Sequence, residues 1–394
     1  MVTFRGLTPL CSTIVKTRAA RRRTSAARCR TPSATPSRTS MSPTSRAAAY
    51  RKKENANPAL RRSPPLSARK TLRTRTTRIG CLTRPASTRW SFAWPKRTGQ
   101  TYHGLSRIDL SNFYADPTCM KNFISFDMFR EAGVPSPLAS YVWLTVNGEE
   151  LGLYLVLEHM GPDFLGRTMG GEGWLYKPES DRLGFDERSI MEELLQQKRQ
   201  PFDYGEGAEL SYRGDALADY PEIFGTKPES KRSQEDLSHD ALVIRALKGL
   251  SEGEDPARYL DTDELLRYFA VHNFLMNYDS YTGPMLHNYY LYENGGRLAM
   301  FPWDYNDLCG TFWALVIQGE PGDATGLANL GIDTPLLGVT PEQHADACCV
   351  LKDFFLVRAE SIRRQLDGML SASTAEQRPE DRVDSSHLSI EALR

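Results

Sequence analysis

Three oxygen-bearing side chains within residues 265–310 have the types and spacing that phosphoryl transfer requires: Asp279 in NYDSYTG, Asn288 in HNYYLY and Asp304 in PWDYN. Moving a phosphoryl group needs oxygen ligands for a divalent cation that neutralises the triphosphate, and one carboxylate beside the accepting hydroxyl. Two carboxylates brought together without a cation repel, and one of them is driven to keep its proton. A hard divalent cation removes that conflict. The competing reading makes both acids turn or cap residues, a common use of aspartate. The apolar runs beside them weigh against it. Lys177 leaves the apolar run Trp174-Leu175-Tyr176 and is either a snorkelling surface residue or a cation held for phosphate.

The elements that must position these groups can be read from periodicity. A helix from Thr262 through Met276 would bury Leu265, Leu266, Phe269, Phe274 and Leu275, delivering Asn277 and Asp279 at its exit. Gly283-Pro284 turns the chain, and His287-Asn288 opens an aromatic strand, Tyr289 to Tyr292. Asn294-Gly295-Gly296 makes a tight turn into a second strand, Arg297 to Phe301. In such a hairpin the start of the first strand lies beside the end of the second, so Asn288 and Asp304 share one end. Asp279, a short loop earlier, can reach it.

Upstream, a strand is expected around Tyr102 to Leu110, and a helix from Pro117 to Ala132 with Asp116 as its cap and Gly133 as its stop. Tyr141 to Val146 and Leu151 to Leu157 form a hairpin about Asn147-Gly148. That hairpin could be a lid over nucleotide phosphates, but its pattern alone favours an ordinary hairpin. Further helices are expected over Pro162 to Met169, Ser189 to Lys198 and Ser238 to Leu250, and over Arg358 to Leu366, with Ile362 and Leu366 as core contacts. Residues 371–394 read as a flexible tail.

Charge is divided along the chain. The 394 residues carry 49 basic and 49 acidic side chains, yet the first 100 hold 24 Lys and Arg against the single acid Glu54. This Arg-, Ser-, Thr- and Pro-rich stretch lacks the interleaved aromatics of a nucleic-acid arm and the apolar periodicity of a core, so residues 1–96 are expected to be disordered and nucleic acid is disfavoured as a partner. An organelle-targeting peptide, a solvated basic tail and a stretch foreign to the gene product all fit it, the last best, because patterned sequence starts abruptly near Arg97. No secretory h-region is visible and no run of 18 apolar residues suits a transmembrane helix. The seven cysteines lack CxxC spacing, so neither a zinc site nor a disulfide framework is indicated.

Several stretches in series resemble the CotH (spore coat protein H) family of atypical protein kinases: GQTYHGLSRIDLSN, FREAGVPSP, YVWLTVNGEELGLYLVLEHM, LYKPE, NYDSYTG, HNYYLY, PWDYN and VRAESIRRQLDG. The resemblance implies an α+β, diverged two-lobed protein-kinase-like fold, with a β-rich N-lobe over about 97–180 and a mainly helical C-lobe over about 181–370. It implies ATP as phosphate donor, Mg2+ or Mn2+ as cofactor and protein Ser or Thr as acceptor. It makes Asp279 the catalytic acid, Asp304 the counterpart of the metal-binding Asp that other kinases place in DFG, and Asn288 a second metal ligand. Lys177 would contact the phosphates and Glu158 would partner that lysine. Upstream of Gly99 only SFAWPKR remains of the strands such a lobe would need, and helices between 338 and 353 read as shortened. The alternative is a catalytically inactive, kinase-like structural protein of a coat or cell surface, and secretion or surface exposure would follow from the resemblance.

Overall fold

The computed structural model describes residues 2–6, 89–94, 101–113, 116–179, 208–225, 232–283, 286–309 and 339–393. Strands and helices are both present, and the fold class is α+β. The chain divides into two compact units, Met1–Arg78 with Tyr141–Leu153, and Ile79–Ser140 with Tyr154–Arg394. The expected lobe boundary near residue 180, the helix over 189–198 and most of the basic segment lie outside the described residues.

The first unit is built on a hairpin. Strand β1 (Val2–Gly6) pairs antiparallel with β4 (Ala139–Val146), from Val2 opposite Val146 to Gly6 opposite Val142. The turn into β5 (Glu149–Glu158) uses Asn147 at φ 54° and Gly148 at φ 90°. These are the two left-handed positions that an Asn-Gly dipeptide accepts most readily. In β4, Val142, Leu144 and Val146 are buried while Trp143 faces outward, the period of two that the sequence displays.

In the second unit, β2 (Arg89–Ala93) pairs with β3 (Arg107–Ser111), and β3 pairs with the later part of β5, from Ser111 opposite Leu155 to Ile108 opposite Glu158. Residues 89–93, expected within a disordered segment, are thus a strand: Arg-Trp-Ser-Phe-Ala alternates polar and apolar side chains well enough to join a ladder.

Helix α1 (Lys121–Glu131) begins later than expected. Cys119 takes φ 56° and interrupts the first turn. Asp116 caps the bend instead, accepting from the N–H of Thr118 at 3.1 Å and of Lys121 at 2.9 Å. Helix α2 (Pro162–Thr168) buries Phe164 against Phe301.

The centre of this unit is an antiparallel sheet of β6 (Trp174–Tyr176), β7 (Tyr289–Asn294) and β8 (Arg297–Pro302). The runs YYLY and LAMF are buried throughout because both faces are covered. Helices α4 (Gln234–Ser251) and α5 (Thr262–Leu275) pack against it, and α5 also packs on α1. The small helix α3 (Pro221–Phe224) sets Phe224 edge-on to Tyr176. No helix among the described residues is long and apolar enough to cross a membrane.

Where shortened helices were expected, the chain forms one helix of 26 residues, α6 (Pro341–Leu366), opened by a capping box between Thr340 and Gln343. Its buried positions are Ala347 and Leu351, four apart on one face. Leu366, expected in the core, is 82% exposed because that stripe has ended before the last turn. Residues 371–393, expected as a flexible tail, run through three short 3-10 turns and end with Leu393 buried. The Leu393 carbonyl accepts from the buried ammonium of Lys121 at 2.8 Å, and a buried ammonium needs such acceptors.

Glu264 on α5 is buried beneath β8 and accepts from the Met300 N–H at 3.3 Å. Burial, reinforced by the charge of Asp261, pushes its carboxyl up to about 8. The unfolded carboxyl ionises above about 4.5, so stability falls as pH climbs from there towards about 8. Glu264→Gln keeps an acceptor for Met300 and removes the charge. Thermal melts should show the variant more stable at pH 8 by on the order of 2 kcal/mol, with the gap closing by pH 5.

Candidate functional site

Helix α5 stops where Met276 turns left-handed, at φ 53°. The next side chain, Asn277, is buried and makes two bonds of opposite sense: its Oδ1 accepts from the Asp279 N–H at 3.1 Å and its Nδ2 donates to the Asp304 carbonyl at 3.3 Å. One amide therefore ties together the backbones that carry the two acids. The Cys309 N–H donates to the Leu275 carbonyl at 3.0 Å, and the Tyr305 N–H donates to Asn122 Oδ1 of α1 at 2.6 Å. Gly283 closes the loop that bears Asp279. A Cβ there would lie 1.4 Å from the Tyr278 carbonyl oxygen.

The β7–β8 hairpin has the register expected of it, Tyr289 opposite Pro302 through Asn294 opposite Arg297. Asn288 and Asp304 thus flank one end. Both are left-handed, at φ 56° and φ 51°, a conformation that Asn and Asp tolerate better than other residues with a Cβ. Asn288 Nδ2 donates to Asp279 Oδ2 at 2.9 Å, leaving its own Oδ1 to serve as a ligand. Strand β6 runs antiparallel to β7 with Tyr176 opposite Leu291, so the chain leaves at Lys177 towards the Asn288 end.

His287 draws the group together. Its Nε2 lies 3.4 Å from Asp279 Oδ1. Burial first, and then the charge of Lys177, push its imidazole down to about 4, while the charge of Asp304 opposes them. The imidazole is neutral near pH 7, and it feels Lys177 and Asp304 from within the same neighbourhood as Asp279.

Glu158 has a different partner from the one expected. It is buried and accepts from Arg167 through both oxygens, at 3.0 Å and 2.6 Å, while the Leu138 N–H donates to it at 3.1 Å. Arg167 also holds the Ser136 carbonyl, so the pair fastens α2 to β5 and the preceding loop. A guanidinium in fork geometry holds both oxygens of a buried carboxylate at once, which a single ammonium cannot match. Lys177 pairs with Glu179 instead.

The donor set of two carboxylates and an amide oxygen suits a hard cation. Among the described residues no group of three or more His, Cys, Asp or Glu side chains converges as a metal cage. A kinase-type cation does not need one, since phosphate oxygens and water fill most of its shell.

With this geometry in view, the sequence matches the family described as CotH kinase protein over residues 85–342. The chain belongs to the CotH kinase family. All of the site residues named above lie inside that stretch. This CotH-family chain is similar to inner spore coat protein H of Bacillus subtilis (strain 168), with 28% identity over 232 residues, 58% of this chain and 55% of that protein. It is also similar to an inner spore coat protein H-like protein of the same strain, 40% identical over 47 residues, 12% of this chain and 15% of that protein. The alignment spans about half the length of the first relative and much less of the second.

Sequence reasoning named Asn277 only as a helix exit and His287 only as a strand opening, and it passed over Asn122 and His272. The available signal was a cluster of polar side chains set directly against apolar runs. His272 is buried, with Nδ1 2.9 Å from the Tyr305 hydroxyl and Nε2 2.5 Å from Thr282 Oγ1. It bridges α5 to both loops of the site.

Removing the buried Asn277 amide takes this partner from a part-buried N–H and a part-buried carbonyl. Asn277→Ala should lower stability by about 2–4 kcal/mol in urea titrations. His272 is held down to about 4 by burial, from an ordinary 6.5. As pH falls, the unfolded imidazole takes its proton first, so the contribution of His272 is complete above 6.5 and is lost between there and about 4. His272→Gln should flatten that part of the stability-against-pH curve, removing up to about 3 kcal/mol of its drop.

Proposed function

We propose that this CotH-family chain is a protein kinase with a diverged two-lobed fold, transferring the terminal phosphoryl group of ATP to protein Ser or Thr hydroxyls in the presence of Mg2+ or Mn2+. The observation that carries the reading is the Asp279 carboxylate, tied to Asn288 through Oδ2 and facing His287 with Oδ1, while Asn277 fastens its backbone to that of Asp304. An acid so restrained can orient an acceptor hydroxyl and take its proton as the new P–O bond forms.

Asp304 and the Oδ1 of Asn288 would hold the divalent cation, and the cation would supply charge neutralisation for the phosphates. Lys177, at the same end of the sheet, would add a donor to phosphate oxygens by exchanging its Glu179 partner for them. Glu158 has no part in this reading. Its two oxygens serve Arg167, and that pair supports the fold.

A second reading is favoured by the names of the relatives, which are those of spore coat proteins. It makes the chain a structural component in which the kinase-like site is vestigial. The two readings part on one experiment, incubation of the chain with radiolabelled ATP, Mg2+ or Mn2+ and a Ser/Thr-rich acceptor protein.

Asparagine is the proper replacement, because it tolerates the left-handed backbone at Asp304 and keeps the size of both side chains. Asp279→Asn and Asp304→Asn should each lower transfer by at least about a hundredfold while melting within a few degrees of the wild type. Equal incorporation by wild type and both variants, or none by the wild type with either metal, would leave the structural reading standing.

A further inference from the structure

Helix α4 carries two apolar stripes where packing against the sheet needs only one. Val243, Ala246 and Leu247 are buried, and the helix packs on β7 and β8. A second row, Leu237, Ala241, Ile244 and Arg245, recurs at intervals of three or four and lines a groove of about 460 Å³. The facing wall is Asp215 with Leu217, the first residue of a 3-10 turn, Leu217–Asp219. Ile244 is buried in this groove, Leu217 and Leu237 are half-buried, and Ala241 and Arg245 are exposed. Its volume falls in the range of about 300–1,000 Å³ that ligand-sized groups occupy.

The charges at its rim are unequal. Lys248 pairs with Asp215 at 3.0 Å, and the Tyr212 hydroxyl donates to the same carboxylate at 2.8 Å. That end is neutral and satisfied. Arg245 has no ion-pair partner among the described residues. Residues 101–394 carry 48 acids against 25 bases, so a lone guanidinium beside an apolar groove is a local reversal of sign. A polyacidic partner is repelled by the surrounding domain, and a basic one by Arg245 itself. One carboxylate set close to apolar side chains escapes both. It meets the guanidinium through two oxygens, and salt screens the acids that lie beyond about 8 Å.

We propose that this groove docks a short segment of a partner protein that carries bulky apolar side chains and a single carboxylate beside them. The apolar groups lie against Leu217, Leu237, Ala241 and Ile244, the carboxylate meets Arg245, and the Asp215–Lys248 pair bounds one end. None of these residues is assigned a part in phosphoryl transfer, and the docking stands or falls independently of that reading.

Fluorescence anisotropy on the full chain tests it. The probes are labelled ten-residue peptides with two leucines and one glutamate in a glycine-serine background, the glutamate one to four positions from the nearer leucine. At least one spacing should bind with a Kd below about 1 mM. Changing its leucines to alanine, or its glutamate to lysine, should each weaken binding at least about tenfold. Arg245→Glu should reverse the preference and bind the lysine peptide better. Ala241→Trp, which fills the groove from an exposed position, should abolish binding of both.

No binding at any spacing, or binding indifferent to either substitution, overturns the proposal. Hydrogen exchange on the wild-type chain locates the peptide without a variant. Protection should rise over 237–248, and protection confined to other segments overturns the site. A wild-type dimer in sedimentation that Ala241→Trp dissolves assigns the groove to a second copy of the chain and overturns the peptide as its occupant.

Discussion

The geometry of the site depends on one buried side-chain amide. Asn277 stands where α5 ends and bonds in both directions, accepting from the backbone of Asp279 and donating to the backbone of Asp304. A carboxylate could accept but not donate, and an amine could donate but not accept. An amide carries a donor and an acceptor on one short side chain and completes both bonds from one position. Around it the other links are also polar and buried. Asn122 takes the next N–H along, His272 spans the two loops, and Asn288 closes onto Asp279 itself. Such a network is strong when every member is satisfied and weak when one is removed.

The rest of the unit supplies a rigid frame for that network. Strands β7 and β8 are buried along both faces, so their ends cannot drift. Phe129 of α1 packs against both Tyr268 of α5 and Tyr305 beyond β8, bringing three elements to one aromatic contact. Asn288 and Asp304 both adopt the left-handed backbone at the hairpin's open end. Local strain of this kind persists where the surroundings over-determine the chain, and here the frame on either side does so.

The parts legible in the sequence were those governed by local rules. The Asn-Gly and Asn-Gly-Gly turns, the helix α5 and the alternation in β4 each follow from a few neighbouring residues, and the structure has the corresponding elements with bounds shifted by a residue or two. Asn288 and Asp304 at one hairpin end were legible for the same reason. The buried face of α5, however, is Glu264, Tyr268, His272 and Leu275, and Leu266, expected to be buried, is 72% exposed because it lies on the opposite side of the helix. The choice of partners was not legible. That Glu158 takes Arg167, nine positions on, rather than Lys177 depends on where α2 docks. That the face of α6 is buried at Ala347 and Leu351, with Leu366 left in solvent, depends on how far its neighbours extend. The start of α1 was misplaced because a left-handed cysteine has no signature in sequence.

Lys121 and Asn122 are adjacent on α1, yet one bonds to the Leu393 carbonyl and the other to the backbone just after Asp304. The first of these bonds joins residues 272 positions apart. A chain emerging from the ribosome therefore makes the turn that grips Asp304's loop long before the carbonyl that helps settle its neighbouring ammonium. The corner that carries Lys121 is therefore completed only once Leu393 has been made, whereas its neighbour Asn122 can find its partner as soon as Tyr305 is in place.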